Sequence, residues 1–283
     1  SLTAKELTQK GLNFLTDDDV EKFLKILKEE HEDLFYIVSF HYYIYKAFLN
    51  KKEDTYYSNA KECFRKVYNI LSSNYKAVFY QILTNYCIDR TNLQDKEYYK
   101  ELFELYNRKL EDGLYQDLQV GNFPINNFRD YVFVALQLGK IDWIRWFIEK
   151  YSPELPEIIR KDEINLSYGI VYYHESDNKK ALQYLNSVAG DNYIHYMDSK
   201  YYKIRLFYET RQFEEALMEI DNYKHYVRAH KEIPDTFKRP YKFFINEYSQ
   251  LLNITLKENP DESVLLRRDL LSKPQTPRRS WIV

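Results

Sequence analysis

An all-α fold of stacked helical hairpins is what this sequence predicts, and three observations predict it. The stretch from Asp162 to Arg228 reads as two similar halves, each an aromatic-rich helical run, a short polar turn and a second run built around an alanine. The two alanines, Ala181 and Ala216, stand 35 residues apart, a period that marks a helical-hairpin array. The 283 residues include only 6 Gly and 8 Pro, few for the sharp turns of an all-β fold or for a phosphate loop.

This pair of halves resembles the tetratricopeptide repeat (TPR). In that family a small residue in the first helix lets the second pack close, an aromatic sits one turn later, and an alanine opens the contact face of the second helix. Gly169 stands at the small position, Tyr172 at the aromatic and Ala181 at the alanine. In the next unit Phe207, Phe213 and Ala216 match, while Ile204 replaces the small residue. Upstream, Phe128, Gly139 in the turn and Pro156 at the repeat end match, while Ile144 replaces the alanine. The resemblance covers Asn126 to Arg228. It implies a TPR-like α-solenoid, a right-handed superhelical array whose first helices line a concave groove for a partner's peptide, helix or tail.

Along the chain, Ser1 to Phe14 reads as a short helix. Thr16 followed by three aspartates is a strong helix start, because the Thr side chain and the acids satisfy free backbone N–H groups. Val20, Phe23, Leu24 and Leu27 then share one face. Eight acids against three lysines between Asp17 and Asp33 mark the other face as solvated. Glu32 to Asn50 is apolar nearly all round, which predicts burial. Asp54 to Leu71 is its amphipathic partner, with Ala60, Phe64 and Val67 inward. Tyr75 to Ile88 and Asp95 to Leu110 make the next hairpin across a polar turn. Glu111 to Pro124 is the least helical interior stretch. Phe128 to Leu138 and Ile141 to Tyr151 flank Gly139, a left-handed cap, and Ser152 to Pro156 is a proline-marked break.

Aligning the second helix of each hairpin puts Phe23, Ala60, Leu102, Ile144, Ala181 and Ala216 at equivalent inward positions, which gives six hairpin-like units. His230 to Pro240 reads as a loop, Tyr241 to Leu256 as a long helix closing the array, and Asp261 to Leu271 as one more helix. Residues 1–258 are thus expected to form the repeat domain, and 259–283 a C-terminal helix and extended tail. The tail ends in Trp281, Ile282 and Val283, which either dock on the last hairpin or form a linear motif for another domain.

Composition narrows the function. The chain is 45% hydrophobic and 30% charged, a folded rather than a disordered balance. Its 29 tyrosines suit wide inter-helix layers in which the hydroxyl stays wet. The net charge of −2 speaks against a general nucleic-acid binder. Cys63 and Cys87, inside helical runs, make neither a disulfide framework nor a metal signature and read as two reduced, buried thiols. No apolar run spans a bilayer and no signal segment opens the chain, so a cytoplasmic location is expected; a start at Ser1 also fits processing or a fragment. No histidine pair has metal-ligand spacing, and no nucleophile elbow or Walker loop is present. His174-Glu175 is the nearest approach to a catalytic pair, but helix neighbours do not face each other. His41 reads as a core residue. A non-enzyme without metal or cofactor is the expectation.

The resemblance implies a protein-interaction scaffold, and projecting the first-helix faces gives its groove: Arg129, Phe133, Gln137, Tyr173, His174, Tyr201, Arg205 and Tyr208. Arginine and tyrosine dominate interface hot spots. The main rival is nucleic-acid binding through residues 223–244. There Lys224, Arg228, Lys231, Lys238, Arg239 and Lys242 interleave with Tyr226, Phe237, Tyr241 and Phe243, a pattern that suits phosphates and stacked bases. A third reading is a scaffolding subunit of a larger enzyme complex. No membrane partner is expected.

Overall fold

The computed structural model describes residues 16–51, 53–93, 95–116, 121–273 and 281–282, and all regular structure among them is helical. The helix expected over Ser1 to Phe14 lies outside the described residues, as does Val283. Helices α1 (Asp17–Glu30), α2 (Glu32–Leu49), α3 (Asp54–Val67), α4 (Ser73–Asn92), α5 (Glu97–Glu111) and α6 (Ile125–Gln137) belong to one compact unit, Ser1–Gly139. A second unit, Lys140–Val283, holds α7 (Ile141–Tyr151), a 3-10 turn (Ser152–Glu154), α8 (Glu157–His174), α9 (Asn178–Asn186), α10 (Tyr193–Glu209), α11 (Phe213–Ala229), α12 (Asp235–Leu256) and α13 (Pro260–Ser272).

Packing is by hairpins. In the first unit α2 pairs with α3 and α4 with α5, while α1 lies on α2 and α6 on α5. In the second, α8 pairs with α9, α10 with α11 and α12 with α13, and the two first helices α8 and α10 lie side by side. Ala60, Leu102, Ile144, Ala181 and Ala216 are all buried, as the expected inward positions require. Phe23 is the exception, at 51% exposed. Leu24 and Leu27, a step round the helix, are the buried residues of α1. Gly169 does what a small residue is needed for. A Cβ there would meet the Leu185 side chain of α9 at 2.7 and 2.8 Å, well inside van der Waals contact.

Local signals explain most boundaries. Thr16 and Asp19 cap α1 reciprocally: the Thr16 hydroxyl oxygen accepts from the Asp19 N–H at 3.2 Å, and the Asp19 carboxylate accepts from the Thr16 N–H at 2.9 Å. The Thr16 hydroxyl also donates to the Asp19 carboxylate at 2.6 Å, and this bond first, the Thr16 N–H bond second, holds the Asp19 carboxyl below its usual range. One turn recurs through the second unit. Ser176, Arg211 and Glu258 each adopt positive φ (61°, 58° and 53°) just past a helix end. In each turn the next residue's N–H reaches back five residues, from Asp177 to Tyr172, Gln212 to Phe207 and Asn259 to Ile254. This bond pattern is a Schellman cap, made here without glycine.

Several expected boundaries move, among them the end of α3 at Val67 rather than Leu71, and two of the shifts have an identifiable anchor. α4 runs on to Asn92 through the expected polar turn, because Arg90 is held there. Its Nη1 donates to Asp54 at 2.7 Å and to the Tyr86 hydroxyl at 3.0 Å, and its Nη2 pairs with Asp95. α12 begins at Asp235, so Pro240 lies inside it rather than in a loop. In the second turn Pro240 forgoes one bond, to the Thr236 carbonyl, and the flanking apolar face offsets that loss. Tyr241, Phe244, Ile245, Tyr248 and Leu252 are all buried along it. His41, expected in the core, is exposed and lies edge-on to Phe79 at 5.3 Å.

The tyrosines have a more specific role than wet-tipped filler. Many hydroxyls tie one helix to another: Tyr57 donates to Glu101 at 2.9 Å, Tyr98 to Asp54 at 2.8 Å and Tyr241 to Asp198 at 2.5 Å. Tyr248 donates to the Ile204 carbonyl at 3.1 Å. A ring that spans an inter-helix layer thus ends on an acceptor rather than in water.

Candidate functional site

α10 carries the site. Asn192 starts it by accepting from the Ile194 and His195 N–H groups at 2.9 and 3.4 Å. It ends at Glu209, where Arg211 turns the chain. Tyr201, Arg205 and Glu209 stand four apart, so they form one stripe along the helix, with Tyr208 beside it. A buried polar pair anchors the far end of the helix to α8. The ring Nε2 of His195 lies 2.9 Å from Glu163, and both side chains are at most 2% exposed. At the near end the Tyr173 hydroxyl of α8 donates to Glu209. The α10 stripe is therefore fixed at both ends before anything is added to it.

Arg205 is enclosed by aromatic rings. Its guanidinium carbon lies 4.8 Å from the Tyr173 ring centre, 5.2 Å from Tyr201, 5.6 Å from Tyr202 and 5.1 Å from Trp281. Its Nη1 donates to the Tyr201 hydroxyl at 3.0 Å. Each face contact of this kind contributes roughly 0.5–1 kcal/mol at an exposed site and more when water is excluded. The tail residue Trp281 completes the arrangement. Its indole N–H donates to Glu209 Oε1 at 2.6 Å. Its ring stacks on Tyr248 (centroids 5.9 Å, interplanar 19°) and meets Tyr208 edge-on at 5.6 Å. Ile282 packs on the same apolar cluster. Trp281 and Ile282 thus pack against side chains of α10 and α12.

The structure brings together Tyr201, Arg205 and Tyr208 of the expected groove. Tyr173 touches them but is buried, because Arg205 and Tyr202 of the next hairpin cover its ring, so it offers no contact area. His174 is exposed at the end of α8, its ring edge-on to Tyr173. Arg129, Phe133 and Gln137 lie four apart on α6, in the other unit. Phe133 and Gln137 are exposed there, and Phe133 meets Tyr99 edge-on at 6.2 Å. Sequence reasoning missed Glu209, Tyr202 and Tyr248. The four-residue step from Tyr201 through Arg205 was the available signal for Glu209.

The six cations of the basic candidate divide. Lys224, Arg228 and Lys242 line one cavity of about 250 Å³ between α11 and α12, with Tyr223, Val227, Ile245 and Asn246. Lys231 and Arg239 are exposed outside that cavity, and Lys238 is buried. Of the four interleaved aromatics, only Phe243 is exposed. Tyr226 stacks on Tyr196 at 3.8 Å, Phe237 packs against Tyr193, and Tyr241 is buried. Three of the rings expected to stack bases are therefore engaged in the fold.

Cys63 and Cys87 are free and buried. Burial raises their thiols to about 11 and about 12. Among the described residues, no three His, Cys, Asp or Glu side chains are grouped to hold a metal ion, and no helix is long and apolar enough to cross a membrane. Compared with known proteins, the chain matches no family model, no curated protein and no solved structure.

Proposed function

We propose that this chain is an interaction scaffold, a degenerate TPR-like right-handed solenoid that performs no chemistry itself and holds a segment of another protein against the first helices of its hairpins. The observation that carries the reading is the α10 stripe, where Arg205 and Glu209 already hold a side chain from far along the sequence, Trp281. Arginine and tyrosine in a packed setting are the residues that dominate binding hot spots. The buried register of Ala60, Leu102, Ile144, Ala181 and Ala216 and the repeated Schellman turn support the repeat reading. Native purification at low salt, with mass spectrometry of co-eluting protein and a 260/280 nm absorbance ratio, tests it. A stoichiometric protein partner with a protein-like ratio is expected. A nuclease-sensitive, high-ratio complex would reject it.

A second reading rests on the convergence of Lys224, Arg228 and Lys242 on one cavity, which suits an anionic ligand such as a nucleic-acid backbone. Counterion release gives that reading a steep loss of affinity as salt rises. The net charge and the engagement of three neighbouring rings weigh against it.

A further inference from the structure

The seat of Trp281 has three parts, and each matches one property of an indole. The Glu209 carboxylate meets its N–H at 2.6 Å. The Arg205 guanidinium lies 5.1 Å from its ring centre, within reach of the electron-rich face. The Tyr248 ring runs nearly parallel to it. A phenylalanine would keep the stacking and lose the hydrogen bond. A tyrosine would place its donor at the far end of the ring, away from Glu209.

The seat is also built without its occupant. Tyr248 and Phe244, which floor it, belong to an apolar cluster of the unit that also includes Ile204, Ile220, Ile245 and Leu252. Tyr248 is fixed by its bond to the Ile204 carbonyl at 3.1 Å, and Tyr208 by Thr255 at 2.9 Å. Glu209 is fixed by Tyr173, and Arg205 by Tyr201. None of these bonds uses the tail. Trp281 and Ile282 remain only partly buried on top of them. The seat's side chains are therefore held by bonds that do not depend on the occupant, and another segment of the same chemistry fits there in its place.

We propose that the face formed by Tyr201, Arg205, Tyr208, Glu209 and Tyr248 is a tryptophan-reading site. Its ligand is a partner segment that presents a tryptophan followed by an aliphatic residue, and Trp281-Ile282 is the internal stand-in for that ligand. This deepens the scaffold reading and rests on it. A tethered segment competes at an effective concentration in the millimolar range, so the partner binds more tightly once the tail is disabled.

The test is fluorescence anisotropy with a labelled synthetic peptide of Leu271–Val283, titrated with the full chain and its variants. The Trp281→Ala chain is expected to bind the peptide, and the unaltered chain at least about tenfold more weakly. Adding Arg205→Ala to Trp281→Ala is expected to lower affinity by about tenfold or more, as is replacing the peptide's tryptophan by phenylalanine. Equal binding to the unaltered and Trp281→Ala chains, or no binding to Trp281→Ala, overturns the proposal. A second measurement does not depend on that variant. In the chain labelled with 5-fluorotryptophan, excess unlabelled peptide should move the Trp281 fluorine resonance, assigned with Trp281→Phe; an unmoved resonance overturns the proposal. Failure here with a protein partner still co-purifying rejects the tryptophan site alone. Peptide binding without any co-purifying partner rejects the scaffold reading instead.

Discussion

Cys63 and Cys87 lie inside the first unit with their thiols raised by burial to about 11 and about 12, so almost no thiolate exists near neutral pH. Both should therefore resist a disulfide reagent at pH 8 in the folded protein and react together in denaturant. Rapid labelling of either in the native state would place it at the surface instead. At this scale the sequence is legible where one residue decides its own fate. Two cysteines within helical runs read correctly as buried thiols, and Gly169 reads correctly as a point of close approach. It is illegible where the partner comes from far along the chain. Arg90 meets Asp54, 36 residues away, and Trp281 meets Glu209, 72 residues away; no local spacing encodes either meeting. The same limit hides the burial of Tyr173, which depends on Arg205 and Tyr202 of the next hairpin.

Alanine in place of an ordinary helix glycine stabilises by about 1 kcal/mol. At Gly169 the new methyl would collide with Leu185, and overpacking costs about 1–3 kcal/mol. Gly169→Ala should therefore destabilise the protein by about 1 kcal/mol net. Leu185→Ala should interact favourably with it in a double-mutant cycle of denaturant midpoints, and additive effects would contradict the contact. Ser176 and Arg211 hold left-handed turns that disfavour L-residues by roughly 1–2 kcal/mol. Ser176→Gly and Arg211→Gly should each raise stability by about 0.5–1 kcal/mol after the entropy cost of glycine, measured by chemical denaturation. Lower stability in both would mean that the turns are held by side-chain contacts. Boundaries are legible where punctuation is strong, as at α7 between Gly139 and the Ser152–Glu154 turn. They shift where tertiary anchoring outweighs it, as Arg90 prolongs α4 and the apolar face of α12 accommodates Pro240.

For the whole molecule, the tyrosines make alkaline pH a structural probe. Burial raises the phenols of Tyr57, Tyr80, Tyr98, Tyr106, Tyr173 and Tyr248 above their ordinary value of 10.0. Above pH 10.0 the unfolded chain loses these protons while the folded chain keeps them, so stability falls as pH rises from there. Absorbance at 295 nm should follow two phases, a gradual titration of exposed phenols and then a sharp rise that coincides with loss of helical circular dichroism. A single gradual titration with helicity intact would contradict the burial.

Binding is expected to run through the α10 stripe rather than through the basic cavity. The most direct measurement compares three chains in low-salt native purification: unaltered, Tyr201→Ala/Arg205→Ala, and Lys224→Ala/Arg228→Ala/Lys242→Ala. Each is first checked for folding by circular dichroism, and its co-purifying protein and nucleic acid are then quantified. A protein partner should be retained by the lysine and arginine triple variant and reduced about tenfold or more by the α10 variant, since one or two hot-spot residues carry that much affinity. Nucleic acid that is lost with the triple variant and unaffected by the α10 changes would contradict that expectation.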